Sequence, residues 1–157
     1  MLKTLTGLAA VAALVVPSAA FADQFHDCGM GRSISLTGAN TLWPPNHKYH
    51  DYTVTATGTA VDTDANLMSM VTSNEPDVGI GSGGPQHAND ANPPAAMQEN
   101  MSSNTASVSH QLRSERSGAG SGRTYTFTEH ATWDLGTMSC DATFTVSVPH
   151  DQGKGKA

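Results

Sequence analysis

The stretch "RTYTFTEHATW" (Arg123–Trp133) decides the fold class, because its residues alternate with a period of two. Tyr125, Phe127, Glu129, Ala131 and Trp133 fall on one side, an arrangement that a strand gathers against a core and a helix would scatter. Five further stretches read the same way. "YHDYTVTATGTA" (Tyr49–Ala60) sets Tyr52, Val54 and Ala56 opposite Thr53, Thr55 and Thr57, and "ASVSHQLRSE" (Ala106–Glu115) puts Val108, His110 and Leu112 in one phase. "CDATFTVSV" (Cys140–Val148) aligns Cys140, Ala142, Phe144, Val146 and Val148, while "SISLTG" (Ser33–Gly38) and "NLMSMVTS" (Asn66–Ser73) are shorter runs. Short alternating strands punctuated by Gly, Asn, Asp and Pro predict an all-β, antiparallel sandwich.

The N-terminus has a different character. "MLKTLTGLAAVAALVVPSAAFA" (residues 1–22) has a basic residue at Lys3, an apolar run from Leu8 to Val16 and small residues before Asp23, the pattern of a cleaved secretory signal peptide. The apolar run is shorter than the roughly 20 residues that a spanning helix needs. Loss of Lys3 leaves seven basic residues against 14 acidic ones, which argues against nucleic acid or an anionic membrane surface as partner. Apolar residues make up only 38%, so the core is expected to be thin. In an exported chain the only two cysteines, Cys28 and Cys140, are read as a disulfide, whose long loop contributes about 4–5 kcal/mol in the chain-entropy model. One domain over residues 23–150, a monomer, is expected, with "DQGKGKA" (Asp151–Ala157) as a flexible tail. "VGIGSGGPQHANDANPPAAMQENMSSN" (Val78–Asn104) is read as a long, weakly ordered loop in which a short strand or helical turn near "AAMQENM" can hide.

Strand direction then gathers distant residues. If the Tyr49 strand descends, successive strands reverse and a descending segment lies inside the long loop, four polar segments reach the upper end: "WPPNHK", "SNEPD", "RSERSGAGSGR" and "VPHDQ". Cys28 and Cys140 reach the opposite end. Pro44 and Pro45 stiffen the first segment and withhold two N–H donors. The upper pole is thus expected to assemble Trp43, Asn46, His47, Lys48, Asn74, Glu75, Asp77, Glu115, Arg116, Arg123, His150 and Asp151.

Tyr125 follows a Gly-rich corner, as does the tyrosine of the tyrosine corner in immunoglobulin-like sandwiches. The blocks "LWPPNHK", "VTSNEPD", "RSERSGAGSGRTYTFT" and "VPHDQGKG", spanning Leu42 to Lys154, resemble those of a secreted bacterial domain that accompanies HYR- and PKD-like immunoglobulin-fold modules. The resemblance implies an extracellular Ig-like sandwich of about seven strands with no established enzymatic activity. A binding, adhesion or structural role, with an extracellular protein or glycan as partner, is what such a module would have.

Several chemistries compete at the polar positions. Glu75 and Glu115 can accept from Arg116 and Arg123 and lock the loops together. Alternatively Glu75, Asp77, Glu115 and Asp151 offer the oxygens that Ca²⁺ requires. "DTDAN" (Asp62–Asn66) begins like an EF-hand loop but lacks its Gly and its final Glu, and is read as a solvated loop at the lower pole. A periplasmic copper or zinc protein is the alternative, using His87, Met97 and Met101, or His47, His50 and His150. No nucleophile elbow, HExxH motif or paired carboxylates point to catalysis. Glu129 lies in phase with core residues, where burial would raise its pKa or His110 would pair with it.

Overall fold

The alternating runs become strands that bury their expected faces. A computed structural model describes residues 23–76, 90–118 and 120–150. The proposed leader, the tail, Asp77, His87 and Asp151 lie outside the described residues. Nine strands are present among them: β1 (Gln24–Gly29), β2 (Arg32–Thr37), β3 (Tyr49–Thr57), β4 (Ala65–Ser73), β5 (Ala91–Asn92), β6 (Ala95–Asn100), β7 (Thr105–Arg113), β8 (Gly122–Trp133) and β9 (Met138–Pro149). They form a five-stranded sheet in the order β1-β2-β3-β7-β5 and a four-stranded sheet in the order β6-β4-β8-β9, with every strand pair antiparallel. The two sheets pack as a β-sandwich. No helix of the described residues is long and apolar enough to cross a membrane.

The core lies between the sheets. Ile34, Leu36, Tyr52, Val54, Val108 and Leu112 enter it from the five-stranded sheet, and Leu67, Phe127, Trp133, Phe144, Val146 and Val148 from the other. Burying side chains of this size stabilises by roughly 1.5–3 kcal/mol each. The described part of the Val78–Asn104 segment contributes β5 and β6, and β6 is the short strand allowed for near "AAMQENM". β6 pairs with β4 from Ala65↔Asn100 to Met70↔Ala95 and forms the sheet edge. An edge strand held by backbone bonds needs no apolar alternation, and β6 is mostly exposed. β1 was not visible as a strand. It turns into β2 through Met30-Gly31, both in the left-handed region (φ 53° and 79°), which is the backbone of a two-residue hairpin turn in which Met is an unusual first residue.

Cys28 and Cys140 are joined as a disulfide. The bond ties β1, the outer strand of one sheet, to β9, the outer strand of the other, toward the lower end of the sandwich. Between β2 and β3 the chain also leaves the first sheet: Leu42 N donates to Ser147 O at 2.8 Å and Ser147 N to Asn40 O at 3.0 Å, so this crossover extends the β9 edge. The lower end is closed by Arg32 and Asp62, both buried and paired with one another. Asp62 is therefore part of the packed pole and not of a solvated loop: its carboxylate also accepts from Thr59 N at 2.6 Å.

Candidate functional site

The strand directions bring the segments around Trp43, Glu75, Glu115, Arg123 and His150 to the upper end. The Trp43-Pro44-Pro45-Asn46-His47-Lys48 loop is fastened to Ser114, which follows β7. His47 N donates to Ser114 O (2.9 Å), Ser114 N donates to Lys48 O (2.8 Å), and Ser114 Oγ donates to Pro44 O (2.7 Å). Asn46 Oδ1 accepts from Lys48 N, which closes the turn internally. The loop is thus built as a rigid bracket, with Trp43 43% exposed at its start.

Beneath it runs a chain of ion pairs. His47 Nδ1 lies 3.4 Å from Glu115 Oε2, and Arg113 Nη1 lies 2.6 Å from the same oxygen. Arg113 approaches Asp90 at 3.8 Å, and Arg123 Nη1 meets the other Asp90 oxygen at 2.6 Å. Arg123 Nε continues to Glu75 Oε2 at 3.6 Å. Asp90, Arg113, Glu115 and Arg123 are all buried. Arg113 stands on β7 in one sheet and Arg123 on β8 in the other, so the fully buried Asp90 carboxylate ties the two sheets together. Charges withdrawn from water in this way persist only when closely paired.

The expected residues thus sort into three groups. His47, Glu75, Glu115 and Arg123 join the chain. Asn74 and His150 brace loops: Asn74 Oδ1 accepts from Thr124 N at 2.7 Å, and His150 Nε2 donates to Gly118 O at 2.9 Å. Trp43, Asn46 and Lys48 lie outward. Arg116, expected to serve Glu75 or Glu115, reaches among the described residues its neighbour's carbonyl at Ser117, and Arg113 pairs with Glu115. Arg113 and Asp90 escaped the sequence reading for definite reasons. Leu112 and Arg113 are both buried at the strand end, where alternation breaks down, and Asp90 precedes a two-residue strand with no period to place it. Of the four oxygen donors read as a Ca²⁺ set, Glu75 is tied to Arg123 and Glu115 to Arg113, while Asp77 and Asp151 lie outside the described residues. Tyr125 does make the corner bond: its hydroxyl donates to Arg113 O at 2.7 Å.

A second polar group is buried mid-sandwich. Ser69 Oγ lies 2.8 Å from His110 Nε2 and 2.9 Å from Glu129 Oε1, and His110 Nδ1 lies 2.7 Å from Pro93 O. Glu129 and His110 thus share a serine and do not touch directly. The Pro93 carbonyl only accepts, so Nδ1 carries a proton. Two proton arrangements then complete the chain. In one, neutral Glu129 donates to Ser69 and Ser69 donates to Nε2; in the other, doubly protonated His110 donates to Ser69 and Ser69 donates to the carboxylate. Burial pushes the Glu129 carboxyl up to about 7 against the opposing Ser69 bond. Burial also lowers the His110 pKa, against the raising effect of the Pro93 bond. Both shifts favour the neutral arrangement.

Among the described residues, three His, Cys, Asp or Glu ligand atoms come within 4.8 Å of one another only at His26, Cys28 and Cys140, and both sulfurs there are spent in the disulfide. Met97 lies within β6, whereas Met101 lies beyond its end. No protein-family model, no curated protein and no solved structure matches this chain.

Proposed function

We propose that the protein is a non-enzymatic, exported module of the immunoglobulin-like type, akin to the HYR- and PKD-associated domains, that presents its upper pole to an extracellular protein or glycan. The carrying observation is Trp43: a large aromatic, 43% exposed, on a proline-stiffened loop braced by Ser114 and by buried ion pairs. A rigid exposed tryptophan with polar neighbours supplies contact area at little entropic cost, which is how recognition surfaces concentrate their energy. The disulfide and the leader-like N-terminus support export. Against catalysis stands the order of the one buried Ser–His–Glu group, in which the carboxyl meets the serine and a backbone carbonyl orients the histidine.

The test uses the fact that Trp133, the only other tryptophan, is fully buried, so Trp43 is the solvent-facing fluorophore. Binding to immobilised glycans and to cell-surface protein fractions is expected to blue-shift the emission and to weaken about tenfold or more in Trp43→Ala, with melting unchanged. Binding that Trp43→Ala leaves intact, or none to either class, rejects the reading.

A further inference from the structure

The outer face of the four-stranded sheet carries a row unlike its surroundings. Met97 on β6, Met68 on β4, His130 on β8 and Asp141 on β9 are register partners in sequence, so one line of side chains crosses all four strands. All four are exposed, Met97 to 66% and Met68 to 53%. The adjoining row toward the lower end is Glu99, Asn66, Thr132 and Ser139, and that toward the upper end is Ala95, Met70, Thr128 and Thr143, with Met70 49% exposed and no imidazole beside it. On the outer face of the five-stranded sheet, strand positions such as Ser35, Thr55 and Ser107 are small and polar, and none is methionine. Among the described strands the exposed thioethers are confined to this sheet's outer face, and of them only Met68 and Met97 stand in one row with an imidazole.

The register of the row places three metal-ligating side chains on adjacent strands. Met68 sits directly between Met97 and His130, and cross-strand neighbours have Cβ atoms about 4.5–5.5 Å apart, within reach of flexible methionine arms. Met68, Met97 and His130 line one shallow depression of about 290 Å³. Glu99 lines it too, and neither lysine nor arginine does. Asp141 lies on the side of His130 away from the methionines, with its Oδ1 2.7 Å from Nδ1. A carboxylate on one ring nitrogen fixes the ring and leaves Nε2 to coordinate, as in metal sites whose histidines are oriented from behind.

We propose that Met68, Met97 and His130 form a surface site for Cu(I), with Asp141 as the positioning residue of the imidazole. Thioether sulfur is a soft ligand that selects Cu(I) and is passed over by Ca²⁺ and Mg²⁺, and imidazole suits copper equally. Glu99 adds a negative field that favours a cation. This site shares no residue with the Trp43 pole and stands or falls independently of it.

The experiment titrates the disulfide-bonded protein with Ag(I), a redox-inert soft cation, and with Cu(I) kept reduced by ascorbate against a chromogenic Cu(I) chelator. Methionine methyl resonances report the site. One equivalent is expected to shift the Met68 and Met97 methyls and to leave those of Met30, Met70, Met101 and Met138 in place. Met68→Leu with Met97→Leu, which keeps size and apolarity on an exposed face, is expected to weaken binding about 100-fold, and Asp141→Asn about 10-fold or more. A tenfold excess of Zn²⁺ is expected not to displace Ag(I). Absence of binding, methyl shifts confined to other methionines, or affinity unchanged in the double variant overturns the proposal. So does binding that requires reduction of the Cys28–Cys140 bond, since that places the metal at His26 instead.

Discussion

Glu129 occupies a position that the strand period assigns to the core, and it survives there because Ser69 and His110 complete a hydrogen-bonded chain. The carboxyl is fully buried and its second oxygen finds no partner among the described residues, so it is best accommodated neutral. Linkage gives the sign. A carboxyl raised in the folded state from 4.5 to about 7 contributes stability that is complete below pH 4.5 and lost as pH climbs through 7. His110, lowered by burial, contributes stability above pH 6.5 that is lost on acidification. Phe127 and Tyr52 border the imidazole and bring no charge to it at these pH values. Glu129→Gln donates an amide hydrogen where the neutral acid donated its own. Urea denaturation is expected to find this variant equal to the parent at pH 5 and more stable by on the order of 2 kcal/mol at pH 8. Equal losses at both pH values would contradict the neutral arrangement. The inward phase of Glu129 and His110 was legible in the sequence. Ser69 as the bridge was not, because serine suits either face of a strand.

At the scale of elements, the disulfide secures what the sheets alone leave loose. β1 and β9 are the outer strands of their sheets, with the crossover bonded to the outer side of β9 at Ser147, and Cys28–Cys140 joins them. Gln24 reinforces the seam: its amide donates to Thr145 O at 2.7 Å and its carbonyl accepts from Thr145 N at 3.3 Å. Replacing both cysteines by serine is expected to lower stability by about 2–5 kcal/mol and to raise hydrogen exchange first in β1. Unchanged melting, or loosening confined to β6, would contradict that assignment. β2, β3, β4, β7, β8 and β9 could be read from alternation because each buries one face. β1 and β5 could not, and β6 only as a short strand or helical turn near "AAMQENM", since their stability comes from edge pairing and from a turn whose first residue is methionine.

For the whole molecule, reversal of successive strands is what makes a pole out of segments more than 60 residues apart, such as His47 and Ser114. Direction alone gathered Trp43, His47, Glu75, Glu115, Arg123 and His150 at the upper end and put the cysteines toward the other. Which charges meet was not legible, because Arg113 and Asp90 are placed by strand ends that carry no period. The buried Asp90 carboxylate couples Arg113 on one sheet to Arg123 on the other, so that the loops above form one rigid surface. The most direct test is a double-mutant cycle on Asp90→Asn and Arg123→Gln, read by chemical denaturation of the four proteins. A coupling free energy of about 1.5–3 kcal/mol is predicted; additive losses, with coupling near zero, would contradict it.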